Sequence, residues 1–168
     1  MRCGSRWAGS RRCRVRSVEE LQPNLWESCL ERCVDYGHTF SPTLEMEALP
    51  ALLHGEAVSI DMALTSALGF LRGSLSSDDL DRILTVMKRL GLPVWNDVLS
   101  TEGVLDAALA DTVRHRDGRQ RLPLPVGIGG HHFANDVTNE EIASALSLLA
   151  RKNAGLPFSG PSVSKVAS

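Results

Sequence analysis

Two histidines, 16 residues apart, are the residues of this chain best suited to metal chemistry. His38 lies in the segment DYGHTFSP and His54 in the segment LHGEAV, and each has a glycine beside it. A neutral imidazole is the commonest side-chain ligand for zinc-class ions, and a catalytic site usually supplies three protein ligands and one open position. A histidine beside glycine is more often a loop or helix-cap residue, so spacing alone leaves both interpretations open.

The residues around both histidines resemble the sugar phosphate cyclase superfamily, to which 3-dehydroquinate synthase belongs. The resemblance rests on GHTFSP and LLHGEAV, and it extends from about Val18 to about Asn153. It implies that His38 and His54 bind a divalent metal, zinc or cobalt. In the family the third ligand is a glutamate well upstream of the first histidine, and no acid of this chain matches that position.

Two departures from the dehydroquinate synthase pattern indicate a particular branch of the superfamily. Pro42 stands where those enzymes have a second histidine that assists proton transfer, and proline has no titratable group. Asp35 stands where they have asparagine. VDYGHTFSP is therefore most similar to the sedoheptulose 7-phosphate cyclases, first the 2-epi-5-epi-valiolone synthases, then the desmethyl-4-deoxygadusol synthases, with 3-dehydroquinate synthases third.

The resemblance implies a phosphate-eliminating cyclase with a sugar phosphate substrate, sedoheptulose 7-phosphate. Bound NAD would oxidise one hydroxyl transiently, phosphate would leave, the hydride would return, and an intramolecular aldol step would close the ring. The full-length family is expected to form homodimers. Its NAD lies in an N-terminal α/β domain, which we expect to be absent here, so this chain alone should not be self-sufficient. The rival hypothesis is a non-catalytic helical binding domain.

Several polar residues are candidates for contacting the substrate. Asp35 would contact hydroxyls beside the metal, or else be a solvated residue at the end of a helix. Phosphate recognition needs cations or N–H donors. The residues predicted for that role, with an ordinary solvated charge run as the alternative, are Arg116, Arg119, Arg121, His131 and His132. Glu56 would orient His54 or cap its helix.

Length and composition fit one ordinary globular domain. The chain has 168 residues, 43% hydrophobic and 23% charged, with a net charge of −2. This balance gives no general attraction to nucleic acid or anionic membrane, and no apolar run approaches the roughly 20 residues that cross a bilayer. Residues 1–17 are rich in arginine and free of acids, 18–154 should form the helical domain, and 155–168 a flexible tail.

The basic leader leaves the location of the protein open between two compartments. We expect residues 1–17 to be disordered or outside the fold and the protein to be cytoplasmic. An organellar transit peptide is the alternative. Cys29 and Cys33, four residues apart, would share one helix face, where core packing is favoured over metal ligation. Without a signal peptide, the thiols should be reduced.

The apolar pattern predicts a mainly α fold. Five helices are expected. The first ends before Gly37, the second extends from His54 to about Gly73, and the third follows a cap at Ser76 or Ser77. The fourth extends over about 102–114, and the fifth over about 139–152 with Thr138 as its cap. The helix from His54 is apolar almost all round, which predicts burial in the middle of a bundle. A small irregular or hairpin element is expected near 120–137. The segment GIGG at 127–130 does not fit a dinucleotide-binding loop.

Overall fold

The computed structural model describes residues 33–155, and this part of the chain is a helical domain with one short hairpin. The elements in chain order are a 3₁₀ turn Cys33–Asp35, α1 Ser41–Glu47, α2 His54–Leu71, α3 Ser77–Arg89, a 3₁₀ turn Asp97–Ser100, α4 Val104–His115, β1 Leu122–Val126, β2 Gly130–Ala134 and α5 Asn139–Asn153. The mainly α prediction is confirmed, and the irregular or hairpin element is a hairpin.

Helix α2 is the centre of the domain, as its apolar sequence predicted. It contacts α1, α3, α5 and β1. Its fully buried apolar residues form the middle of the core: Ala57, Ile60, Ala63, Leu64, Ala67 and Leu68. Because the helix is covered on several sides, both of its ends are fixed relative to the other elements.

The predicted helix ends are set by capping groups. The Ser76 side chain accepts a hydrogen bond from the Asp79 N–H at the start of α3. Thr138 accepts from the Glu141 N–H at the start of α5, and the Glu141 carboxylate accepts from the Thr138 N–H in return. These reciprocal bonds satisfy donors that an uncapped helix leaves without partners.

One helix was not predicted. The helices predicted from the sequence include none between His38 and His54, but Ser41–Glu47 forms α1. Pro42 lies in its first turn, where the missing N–H costs nothing and the fixed φ suits a helix. Pro42, one of the two residues that distinguish this sequence from dehydroquinate synthases, is therefore also well suited to the start of a helix.

Some sequence predictions fall on residues outside the described range. Most of the helix expected before Gly37 falls on such residues, and the first described element there is the 3₁₀ turn Cys33–Asp35. The packing of Cys29 and Cys33, the leader 1–17 and the tail beyond Gly155 stay predictions. Within residues 33–155, none of the helices is long and apolar enough to cross a membrane.

Candidate metal and substrate site

The two histidines predicted to bind metal lie next to each other. His38 is in the loop before α1 and His54 is the first residue of α2. Their ring centres are 5.8 Å apart and the ring planes are tilted by 53°. Two imidazoles bound to one tetrahedral ion through Zn–N bonds of about 2.0–2.1 Å would have ring centres roughly 5 Å apart. The pair is thus within metal-bridging reach.

The loop that carries His38 lies directly against α2. Gly37 has a φ of 85°, and a Cβ there would lie 2.7 Å from Met62 Cγ and 3.1 Å from the Val58 carbonyl oxygen. Such a contact is far below van der Waals separation, so only glycine fits. This close approach brings the His38 backbone alongside the helix that begins with His54.

A buried carboxylate on α2 holds the same loop. Asp61 is fully buried, and its Oδ2 accepts hydrogen bonds from three successive backbone N–H groups, those of Thr39 at 2.8 Å, Phe40 at 2.6 Å and Ser41 at 2.8 Å. Its Oδ1 accepts from Thr65 Oγ1 at 3.0 Å. Burial raises the pKa of Asp61, and these four hydrogen bonds oppose that rise. The three N–H groups would otherwise be buried without partners.

Helix α4 and the residues after it hold the loop from the other side. Thr112 Oγ1 donates to the Thr39 carbonyl oxygen at 2.9 Å. Arg116 Nη1 donates to the carbonyl oxygens of Gln120 and Arg121 at 3.1 and 2.9 Å. Its Nη2 is 3.5 Å from the His38 carbonyl oxygen, at the outer limit of a hydrogen bond. The His38 segment is therefore fixed by α2 and α4 together.

Asp35 is buried three residues before His38. Its Oδ2 lies 3.7 Å from Arg116 Nη2, and only 12% of the Asp35 side chain is exposed. The alternative of a solvated residue at a helix end does not describe this position. A buried charge requires an opposite charge or hydrogen bonds, and the guanidinium supplies one such partner.

A carboxylate on α1 contacts the ring of His54. Glu45 Oε2 is 2.8 Å from His54 Nδ1. Glu56, for which two roles were open, accepts a hydrogen bond from the Leu53 N–H at 2.9 Å and so caps α2. The acid at the His54 ring is thus Glu45, which sequence reasoning did not single out.

The chemistry of these residues fits a divalent ion. Two imidazoles within bridging reach are ligands that zinc accepts, and one of them has an outer carboxylate partner, as metal-binding histidines usually do. Among residues 33–155, no group of three or more His, Cys, Asp or Glu side chains is arranged to hold a metal. The described residues therefore offer a two-ligand set.

Two of the remaining residues predicted to bind substrate, Arg119 and Arg121, lie between α4 and β1. Arg119 is exposed in the loop between α4 and β1, close in sequence to Arg116. Arg121 is mostly buried, and its Nη2 lies 3.8 Å from Asp117 Oδ2. The structure brings Asp35 and Arg116 to the His38 loop.

His131 and His132 lie on β2, opposite Pro125 and Leu124 of β1. A Cβ at Gly69 of α2 would lie 3.2 Å from the Pro125 carbonyl oxygen. Gly69 is 15 residues beyond His54, about 22 Å along the helix axis at 1.5 Å per residue. This hairpin segment is therefore at the other end of α2, and the structure does not bring these two histidines to the His38–His54 pair. Their role in substrate binding stays a prediction.

Glu45 and Asp61 are the site residues that sequence reasoning missed. Asp61 did leave a signal, since it is a lone acid within the apolar segment SIDMALTSAL. A charged residue in a helix that must be buried needs a partner, and here the partner is the His38 loop. Glu45 left no comparable signal, because its orientation depends on α1.

The fold and the histidine pair define a class of protein, the helical metal-binding domain of the dehydroquinate synthase-like cyclases. The 3-dehydroquinate synthase C-terminal family matches residues 8–113. The chain belongs to this family. The match begins inside the segment 1–17, whose structure lies outside the described residues.

The chain is similar to 2-epi-5-epi-valiolone synthases and, at lower identity, to a demethyl-4-deoxygadusol synthase. That of Actinoplanes sp. is 68% identical over 128 residues, which are 76% of this chain and 32% of the relative. Demethyl-4-deoxygadusol synthase of Trichormus variabilis is 40% identical over 134 residues, which are 79% of this chain and 32% of the relative.

A solved structure of 2-epi-5-epi-valiolone synthase from Streptomyces hygroscopicus, with NAD+ and Zn2+ bound, has a TM-score of 0.78 and 59% identity. The match covers 80% of this chain and 37% of the Streptomyces hygroscopicus chain. This chain thus spans about a third of the length of the relatives it matches.

Proposed function

We propose that this chain forms the metal- and substrate-binding part of a sedoheptulose 7-phosphate cyclase that makes 2-epi-5-epi-valiolone. The observation that carries the proposal is the His38–His54 pair, whose ring centres are 5.8 Å apart. Identity of 68% to a 2-epi-5-epi-valiolone synthase, against 40% to a demethyl-4-deoxygadusol synthase, supports the choice of product.

His38 and His54 would hold the divalent ion. When bound, such an ion supplies Lewis acidity to substrate hydroxyl and carbonyl oxygens. The third ligand would come from outside the described residues, consistent with a chain that spans a third of its relatives.

Asp35 would accept a hydrogen bond from a substrate hydroxyl next to the metal. Its carboxylate is three residues before His38, and Arg116 offsets its charge. Arg116 itself directs its hydrogen bonds to backbone carbonyl oxygens, so we assign it to holding the loop. Arg119 is exposed in the loop between α4 and β1, and it is the better candidate for binding a phosphate.

Hydride transfer would require NAD held by another part of the complete enzyme. The solved relative binds NAD+. In this chain, Gly127 and Gly129 have φ values of 55° and 98° and lie in the turn of the hairpin. They are not a phosphate-binding loop between a strand and a helix.

A chimeric enzyme tests the proposal. The matching part of the Streptomyces hygroscopicus synthase would be replaced by this chain's residues 33–155, and its products from sedoheptulose 7-phosphate would be identified by mass spectrometry and NMR. We expect 2-epi-5-epi-valiolone as the main product. The His38→Ala chimera should lose turnover by orders of magnitude, whereas Arg82→Ala, an exposed position on α3, should keep it.

Other products would contradict the proposal in distinct ways. Desmethyl-4-deoxygadusol as the main product would move the chain to the neighbouring branch. Faster turnover of the dehydroquinate precursor than of sedoheptulose 7-phosphate would refute the interpretation of Pro42. A folded but inactive chimera that also fails to bind zinc would favour the non-catalytic alternative.

A further inference from the structure

Glu45 is a carboxylate in direct contact with a predicted metal ligand, His54. Its Oε2 lies 2.8 Å from Nδ1 of His54, and the two side chains are 30% and 61% exposed. An exposed pair of this kind contributes at most about 1 kcal/mol to stability. Its main consequence is therefore on the imidazole itself.

The contact decides which ring nitrogen carries the proton. A neutral imidazole has one N–H and one nitrogen lone pair, and an ionised carboxylate can only accept hydrogen bonds. Nδ1 must then be the N–H that donates to Glu45, which leaves the lone pair on Nε2. In a free histidine side chain the opposite tautomer, with the proton on Nε2, is the more populated.

The contact also limits rotation of the ring. Glu45 is in α1 and His54 begins α2, and these two helices pack against each other. A hydrogen bond between them holds the imidazole in one orientation about its side-chain bonds. Glu56 instead accepts the Leu53 N–H.

We propose that Glu45 is a positioning residue, which sets the tautomer and orientation of His54 so that Nε2 is the ligand nitrogen beside His38. The inference rests on the metal-binding role given to His54 in the proposed function. It adds a residue outside the ligand set on which the affinity of the site depends.

The tautomer can be measured without metal or substrate. Long-range proton–nitrogen NMR of the full 168-residue chain distinguishes a protonated from an unprotonated ring nitrogen. At a pH of about 8.5, where an ordinary imidazole is neutral, we expect His54 to carry its proton on Nδ1. Glu45→Ala should move the proton toward Nε2, whereas Glu45→Gln, which keeps an oxygen acceptor, should retain it on Nδ1.

A matched control is Glu47→Ala, two residues further along α1 at an exposed position, which should leave His54 unchanged. Protonation of Nε2 in the unaltered chain, or the same tautomer in Glu45→Ala as in the unaltered chain, would overturn the inference. Circular dichroism of each variant checks that the helices persist.

A zinc titration followed on the His54 nitrogen signals tests the second part of the proposal. Glu45→Ala should weaken zinc binding at this site by about 10- to 100-fold, with Glu47→Ala unchanged and Glu45→Gln between them. Equal affinities in Glu45→Ala and the unaltered chain would overturn the positioning role. Absence of any zinc effect on His54 in the unaltered chain would count against the proposed function, while the tautomer decides the inference separately.

Discussion

Replacement of Asp61 should destabilise both the domain and its metal site, because one carboxylate oxygen accepts three backbone N–H groups of the His38 loop. Asp61→Ala would leave these N–H groups buried without partners. It would also remove the hydrogen bond from Thr65 Oγ1. The expected losses are therefore a loosened loop and a displaced His38.

The size of the effect follows from the number and type of bonds. A buried donor left without a partner costs about 1–3 kcal/mol, so the three N–H groups together cost at least about 3 kcal/mol. We expect Asp61→Ala to lower the free energy of unfolding by about 3–5 kcal/mol. Asp61→Asn keeps an acceptor oxygen but loses its charge, so we expect about 1–3 kcal/mol, since charge-assisted bonds are roughly twice as strong as neutral ones.

Urea unfolding of the two variants and of Asp81→Asn checks these values. Asp81 is an exposed acid on α3, paired with Lys152, so its change should stay within about 1 kcal/mol. Asp61→Asn, which should still fold, should also weaken zinc binding. If Asp61→Ala and Asp81→Asn lowered stability equally, the assignment of Asp61 as the anchor of the His38 loop would be refuted.

Two further predictions concern residues that adjoin α2. Arg72 hydrogen-bonds to Glu141, which lowers the pKa of that carboxyl, so the stabilisation is present above the ordinary glutamate pKa and is lost as the pH falls through the lowered value. Urea unfolding should therefore show Arg72→Gln less stable than the unaltered chain at pH about 7 and nearly equal to it at pH about 2. Gly37→Ala should cost about 1–3 kcal/mol more than Gly73→Ala, because both glycines have positive φ but only Gly37 would clash, and equal losses in thermal unfolding would contradict this.

The histidine pair could be predicted because the residues around it, GHTFSP and LLHGEAV, resemble a known family. His54 was placed at the start of an apolar helix and His38 in the preceding loop, and both placements are confirmed. Helix α2 was predicted as the buried centre of a bundle from its composition, since a helix without a polar face must be covered. The capped starts of α3 and α5 also left local signals in the sequence.

The rest of the site depends on packing that local sequence does not encode. Pro42 was interpreted as a lost histidine, so α1 was missed, and with it the position of Glu45. Arg116 was expected near phosphate as part of a charge cluster, but the turn after α4 presents two carbonyl oxygens to it. His131 was grouped with that cluster because the direction of the hairpin along α2 cannot be predicted from its sequence.

We expect His38 and His54 to bind one divalent ion together. X-ray absorption spectroscopy at the zinc edge measures the number of imidazoles bound to the metal. The sample would be the full chain loaded with substoichiometric zinc. We expect two imidazoles in the unaltered chain and in the His131→Ala/His132→Ala double variant, and one in either His38→Ala or His54→Ala. An unchanged zinc environment in the single variants, or a loss of imidazoles in the double variant, would contradict this expectation.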